Sequence, residues 1–146
     1  MFGKLINLDI LKEKILEGET FEYISFLNGP FSQWYHSPFE VKGISYDSSE
    51  QYMMAQKALS FKDKKTYSEI MKADNPALQK HLGQQIENFN EKLWNEKKSN
   101  IVFRGNWHKF TQNRDLKIEL LKTRNTVIVE ASPIDVIWGC RIRVNR

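Results

Sequence analysis

The chain has 146 residues and a formal net charge of +4, with 40% hydrophobic and 27% charged residues. This length suits one domain with a sizeable apolar core, and this composition excludes a disordered or fibrous chain. A single cysteine excludes an intramolecular disulfide, and the three histidines lack the Cys/His spacing of zinc or haem sites. Charges interrupt the first 18 residues, so neither a secretory signal nor a membrane span is predicted. We expect a soluble, cytoplasmic protein without a metal or other cofactor.

Strand and helix patterns alternate in the first third of the chain. Apolar residues at helical spacing predict a short helix over residues 9–16. Strand patterns follow over residues 21–26 and again over residues 39–46, where Lys42 and Gly43 predict a turn.

Helix patterns then dominate. Ser48 and Gln51 have capping-box spacing before a helix predicted over residues 49–59. Asp63 and Asn75 are predicted N-caps of a second and a third helix. Pro76 opens the predicted third helix and Gly83 ends it. Asn90 is the predicted N-cap of a long fourth helix, and Leu116, Leu120 and Leu121 mark a fifth helix. A β-branched run over residues 126–129 predicts a strand. The prediction is an α+β fold, a mostly helical single domain with a small sheet formed by its N- and C-terminal strands.

The positive charge is concentrated in one part of the sequence. Residues 97–124, here called the basic stretch, contain eight Lys/Arg and two Asp/Glu, whereas residues 1–96 contain more acids than bases. An anionic partner such as phosphate would account for this stretch, and so would a solvated helix face rich in lysine.

Two carboxylates are candidates for acid/base chemistry. Glu50 falls in the first turn of a predicted helix, where a carboxylate can also serve only to interact with the helix dipole. Asp135 lies among apolar residues after Pro133, and is either a local cap of that turn or a buried functional group. The sequence lacks a nucleophile elbow, a Walker loop, a Rossmann glycine pattern and a metal-binding helix motif, which disfavours the corresponding enzyme classes.

Several segments together resemble one known family, the NADAR (YbiA-like) family. They occur in the family's order between about Phe26 and Gly139, and so cover most of the chain. Residues 31–39 are similar to the family motif FSNFYPSPF, residues 43–46 to GITY and residues 49–58 to SEHYFQAQKA. Residues 109–113 match KFTQN, and residues 129–139 are similar to VEASP.D..WG.

This resemblance implies a NADAR-like domain over residues 21–146, preceded by an N-terminal helical extension over residues 1–20. It also implies chemistry on ribose N-glycosides, because members are associated with phosphoribosylamino-pyrimidine intermediates of riboflavin synthesis or with removal of ADP-ribose from nucleobases. Family members usually continue beyond the Trp-Gly pair with a glycine-rich segment and a closing helix. The contribution of that segment is expected to be either missing here or replaced, and the N-terminal helix is a candidate for the replacement.

The site expected from the resemblance combines the two acids with aromatic, basic and amide side chains. Glu50 is the expected base that orients water and Asp135 the group that holds the ribose or stabilises the oxocarbenium, although the roles could be exchanged. The tryptophans could stack on the base or belong to the core, the lysines could bind phosphate, and the amides could read the substrate or tie loops together. The candidate substrate-binding residues are Ser32, Gln33, Trp34, Lys57, Trp94, Lys98, Lys109, Asn113, Trp138 and Gly139.

Three functions follow as alternatives. The first is an N-glycosidase acting on a small phosphorylated ribosyl or ADP-ribosyl compound. The second is the same hydrolysis on ADP-ribosylated DNA, which the basic stretch favours. The third is a non-catalytic module that binds ADP-ribose or an NAD-type nucleotide.

Overall fold

A computed structural model describes Glu17 and residues 22–131. In this part of the chain the strands are β1 (Tyr23–Phe26), β2 (Phe39–Val41), β3 (Ile44–Tyr46) and β4 (Val127–Glu130). The helices are α1 (Ser49–Ser60), α2 (Lys64–Lys72), α3 (Pro76–Gln84), α4 (Glu91–Gln112) and α5 (Arg114–Lys122). The helix predicted over residues 9–16 lies outside the described residues. The chain divides into two compact units, one formed by residues 1–32 with 119–146 and the other by residues 33–118.

The first unit contains a parallel pair of strands from opposite ends of the sequence. β1 pairs with β4, with Ile24 opposite Ile128 and Phe26 opposite Glu130. The backbone N–H of Ala131 extends the ladder by donating to the Phe26 carbonyl at 2.7 Å. This pairing confirms the predicted small sheet from the N- and C-terminal strands.

In the second unit, β2 and β3 form an antiparallel hairpin, with Phe39 opposite Tyr46. Lys42 and Gly43 connect the strands and have φ angles of 52° and 81°. Two consecutive positive φ angles characterise the type I′ turn, whose twist matches that of the strands it joins. The turn predicted at this pair is therefore confirmed.

Side-chain caps start the helices where the sequence predicts them. The Ser48 hydroxyl accepts a hydrogen bond from the Gln51 backbone N–H at 3.1 Å and so caps α1. In a standard capping box the side chain at this position accepts from the backbone N–H of the N-cap residue. Here Gln51 Oε1 accepts instead from the backbone N–H of Asp47, one residue earlier, at 2.8 Å. Asp63, Asn75 and Asn90 cap α2, α3 and α4 in the same way.

Gly83 was expected to end α3, and this prediction is wrong. The helix continues to Gln84, and Gly83 is buried in its last turn. A Cβ atom at this position would overlap Met54 Sδ and lie 2.9 Å from Met54 Cγ. The glycine therefore lets α3 pack closely against α1, a requirement of packing between helices.

The core of the second unit surrounds α1. This helix packs against α2, α3 and α4, and its Ala55 and Ala58 are completely buried. An aromatic group of Phe39, Tyr46 and Tyr52 joins the hairpin to α1, with ring centroids 5.0 to 6.0 Å apart. Within the described residues, no helix has the length and apolar character needed to cross a membrane.

Candidate active site

Glu50 lies in the first turn of α1, and its side chain is only 3% exposed. Its backbone N–H donates to the Gln33 carbonyl at 3.0 Å, so the loop before the hairpin contacts the start of the helix at this residue. Ser48 provides the N-cap, so Glu50 is not needed for that purpose. A buried carboxylate at a helix N-terminus is favoured by the helix dipole and is well placed for chemistry in a partly apolar site.

Lys57 lies two turns after Glu50 on the same face of α1. Its ammonium donates to the Gly83 carbonyl at 2.7 Å and lies 4.6 Å from the Phe89 ring centroid and 5.6 Å from that of Trp94. Burial lowers the pKa of Lys57, and the carboxylate of Glu50 partly offsets this by raising it. A positive and a negative charge therefore interact on one partly buried helix face that Trp94 borders.

A hydrogen-bonded polar cluster lies beside the first turn of α1. Gln33 Nε2 donates to Asn106 Oδ1 at 3.1 Å, and the Ser49 hydroxyl contacts the same oxygen at 3.4 Å. This cluster connects the loop, α1 and α4. Asn106 was absent from the predicted site, and the available signal was its position on α4 one turn before Lys109.

Trp34 is more accessible than the other described tryptophan predicted for the site. It is 45% exposed, and the ammonium of Lys80 on α3 lies 5.9 Å from its ring centroid. Trp94, by contrast, is partly buried against the core, in agreement with the alternative that some of these tryptophans belong to the core. Lys80 is a further residue that the sequence did not single out.

Lys109 is completely buried on α4. Its ammonium lies 5.1 Å from the ring centroid of Phe110 and 5.7 Å from that of Tyr35. Burial lowers the pKa of Lys109 to about 8. An amine of this kind can change protonation state near neutral pH, unlike an exposed lysine.

The other predicted residues differ in their surroundings. Asn113 caps the end of α4 and donates through Nδ2 to the Pro38 carbonyl at 3.0 Å, which agrees with the loop-tying alternative. Lys98 is partly buried one turn after Trp94. Ser32 lies in the first unit, where its backbone N–H donates to the Gly29 carbonyl at 2.9 Å. Asp135, Trp138 and Gly139 lie outside the described residues.

These groups are the candidates for acid/base chemistry on a polar ligand. Glu50 supplies a buried carboxylate, Lys57 a cation, Trp94 an aromatic surface, and Gln33 with Asn106 a pair of amides. Across Glu17 and residues 22–131, no group of three His, Cys, Asp or Glu side chains could hold a metal ion.

Known proteins with related sequences include enzymes. N-glycosidase R617 of Acanthamoeba polyphaga mimivirus is 46% identical over 114 residues, which cover 75% of this chain and 67% of the relative. Protein irg-1 of Caenorhabditis elegans is 34% identical over 146 residues, which cover 88% of this chain and 69% of that protein. The NMR structure of Escherichia coli YbiA matches with a TM-score of 0.72 at 28% identity, and the match covers 83% of this chain and 73% of that chain.

The family model of the NADAR domain matches residues 23–146, which is most of the sequence. The resemblance inferred from short motifs is thereby confirmed, and the structural match to YbiA agrees with the α+β fold. This chain belongs to the NADAR domain family.

Proposed function

We propose that this protein is an N-glycosidase that hydrolyses the bond between a nitrogenous base and the ribose of a phosphorylated ribosyl or ADP-ribosyl compound. Relatives named N-glycosidase support a glycosyl hydrolase activity. The observation that carries the proposal is the buried carboxylate of Glu50 at the start of α1, with the ammonium of Lys57 on the same helix face.

The reaction needs a carboxylate close to the sugar. When the bond from C1′ to nitrogen breaks, positive charge develops on the ribose, and a fixed negative charge stabilises it. The water oxygen bonds to C1′ as the bond from C1′ to nitrogen breaks, and Glu50 accepts a proton from this water. That proton then passes to the leaving nitrogen, directly or through solvent, which restores the carboxylate. Asp135 holds the ribose hydroxyls or stabilises the oxocarbenium in this scheme, and the two acids could exchange roles.

Cationic and aromatic groups in the same unit as Glu50 favour a phosphorylated nucleoside-like substrate. Lys57 already donates one hydrogen bond to Gly83, and an ammonium group has three N–H donors, so two can serve a phosphate or a sugar oxygen. Trp34, which is 45% exposed, offers a flat surface for stacking on the base. A riboflavin-pathway intermediate and an ADP-ribosylated nucleobase both combine phosphate, ribose and a planar base.

The experiment that tests this proposal is mass spectrometry of purified protein incubated separately with riboflavin-pathway intermediates and with ADP-ribosylated DNA. Release of a base from either substrate identifies its class. The Glu50→Gln variant should lose turnover by roughly 10²- to 10⁴-fold, because it removes the proton acceptor while keeping the shape of the side chain. Its affinity for ADP-ribose, measured by calorimetry, should change little.

The matched control is Glu69→Gln, since Glu69 is an exposed acid on α2 in the same unit. It should retain wild-type turnover. Full activity of Glu50→Gln would contradict the assignment of Glu50. Binding of ADP-ribose without release of a base from any substrate would favour the non-catalytic nucleotide-binding module.

A further inference from the structure

The side-chain amide of Gln33 is oriented by a hydrogen bond to Asn106. Its Nε2 donates to Asn106 Oδ1 at 3.1 Å, and the Ser49 hydroxyl lies 3.4 Å from the same oxygen. An amide presents donors only at nitrogen and an acceptor only at oxygen. Since the nitrogen of Gln33 faces Asn106, its oxygen faces away from this residue.

The oxygen of Gln33 is a buried acceptor. Oε1 is inaccessible to solvent and has no hydrogen-bond partner within the described part of the chain. A buried polar atom left without a hydrogen bond costs free energy, so such atoms in folded proteins call for an explanation. A donor on a bound ligand would remove this cost if binding moves aside the groups that cover the atom.

The position of Gln33 connects this acceptor to the proposed catalytic acid. The Gln33 backbone carbonyl accepts from the Glu50 backbone N–H at 3.0 Å, so the two residues are direct neighbours. Any substrate that places its glycosidic bond beside Glu50 therefore comes close to Gln33 as well.

We propose that Gln33 is a specificity-determining residue whose Oε1 accepts a hydrogen bond from an N–H or O–H group of the substrate near the glycosidic bond. Asn106 is a positioning residue that fixes this polarity. The inference rests on the proposed N-glycosidase function and deepens it by naming the chemical feature that the substrate must carry.

Two parts of a ribosyl substrate carry such a donor, namely the leaving base and the ribose hydroxyls. A substrate that offers only an acceptor at this position is disfavoured, because Gln33 can turn its nitrogen inward and keep the hydrogen bond only if the amide of Asn106 turns as well. Selectivity between donor-bearing and donor-lacking substrates is therefore the property to measure.

The experiment compares kcat/KM for one cleaved substrate with values for two analogues, one lacking the base N–H donor and one lacking the ribose 2′-hydroxyl. For the wild type, one analogue should be poorer by roughly 10- to 100-fold, and its identity shows which donor Gln33 accepts. In Gln33→Met, which keeps the length of the side chain and removes the acceptor, this ratio should fall to about 1.

Variants of Asn106 separate positioning from packing. Asn106→Asp retains an oxygen that accepts from Gln33 and Ser49, so it should preserve the selectivity ratio. Asn106→Leu removes the acceptor, leaves the amide of Gln33 free to rotate, and should reduce the ratio. Because each ratio compares two substrates on one variant, a general effect of the added charge in Asn106→Asp cancels.

Unchanged selectivity in Gln33→Met would overturn the inference, as would a wild type that does not distinguish either analogue from the parent. If Asn106→Leu does not fold, Gln33→Met and Asn106→Asp still decide the outcome. Failure of the proposed function has a different signature, because the wild type would then release no base. Calorimetric Kd values for the parent compound and its analogues would still test the acceptor role of Gln33 in that case.

Discussion

The first turn of α1 and the basic stretch are two regions with very different surroundings, although the sequence marks both as candidate sites of function. The first turn consists of Ser49, Glu50 and Gln51, which are polar and at most 3% exposed. In the basic stretch most cations are exposed to solvent, as are Lys97, Arg104, Arg114, Lys117, Lys122 and Arg124.

This contrast shows that charge density along a sequence does not predict which charged side chains are buried. Exposed lysines and arginines remain hydrated and cost little, whereas a buried carboxylate needs compensating interactions. The exposure of most cations in the basic stretch agrees with a solvated helix face and with an anionic partner alike. Lys109 is the exception in this stretch, because its side chain is buried, as that of Glu50 is.

The largest expected effect is a dependence of stability on pH that the buried Lys109 causes. In the folded protein its pKa is about 8, whereas that of an unfolded lysine is near 10.4. Between these values the unfolded chain binds more protons, so stability should rise with pH, by about 3 kcal/mol over the whole interval. Lys109→Met should remove most of this rise and leave the part that comes from Lys57, whose pKa burial also lowers. Urea unfolding at several pH values between about 7 and 10 measures it.

Lys117→Met is the control for this measurement, because Lys117 is exposed on α5. Its stability should follow that of the wild type at every pH. If the free energy of unfolding of the wild type did not change with pH over this interval, the pKa of Lys109 would not be lowered by burial.

The next effect concerns Lys57 and turnover. Lys57→Met should lower kcat/KM by roughly 10- to 100-fold, since it removes a partly buried charge next to Glu50. Because burial lowers the pKa of Lys57, activity should decline on the alkaline side at a pH below that of an ordinary lysine. Lys57→Arg should move this decline to higher pH, because arginine stays charged. The pH profile of kcat/KM measures both effects.

A smaller effect concerns the cap of α1. Ser48→Ala should lower the free energy of unfolding by about 1 kcal/mol, because the Gln51 N–H loses its acceptor. Ser99→Ala, an exposed change on α4, should have almost no effect or a slightly stabilising one. Equal stability of the two variants in urea unfolding would mean that the hydrogen bond to Ser48 contributes nothing.

The smallest effect is expected within the exposed part of the basic stretch. The double variant Arg114→Gln with Lys117→Gln should change the free energy of unfolding by less than about 0.5 kcal/mol. Its turnover of a small free substrate should equal that of the wild type. If ADP-ribosylated DNA is the substrate, the affinity of the double variant for DNA should fall less steeply with salt concentration than that of the wild type. The difference in slope should correspond to about two phosphate contacts. Fluorescence titrations at several salt concentrations distinguish these outcomes.

Much of the fold could be predicted from the sequence because the signals are local. An N-cap needs only a side chain and a backbone N–H a few residues later, so Ser48, Asp63, Asn75 and Asn90 marked the helix starts. The turn at Lys42 and Gly43 is local in the same sense. The ordered family motifs identified the family and placed Glu50 at the start of a helix.

Features that depend on a distant partner were decided only by the tertiary structure. The sequence predicts a helix end at Gly83, whereas the glycine is needed there because the side chain of Met54 packs against it. Met54 lies 29 positions away in sequence. Asn106 acquires its importance from Gln33 and Ser49, and Lys109 is distinguished from other lysines only by burial. Capping and turn formation are settled within a few residues of backbone, whereas burial and the polarity of a binding site arise when separate elements pack together.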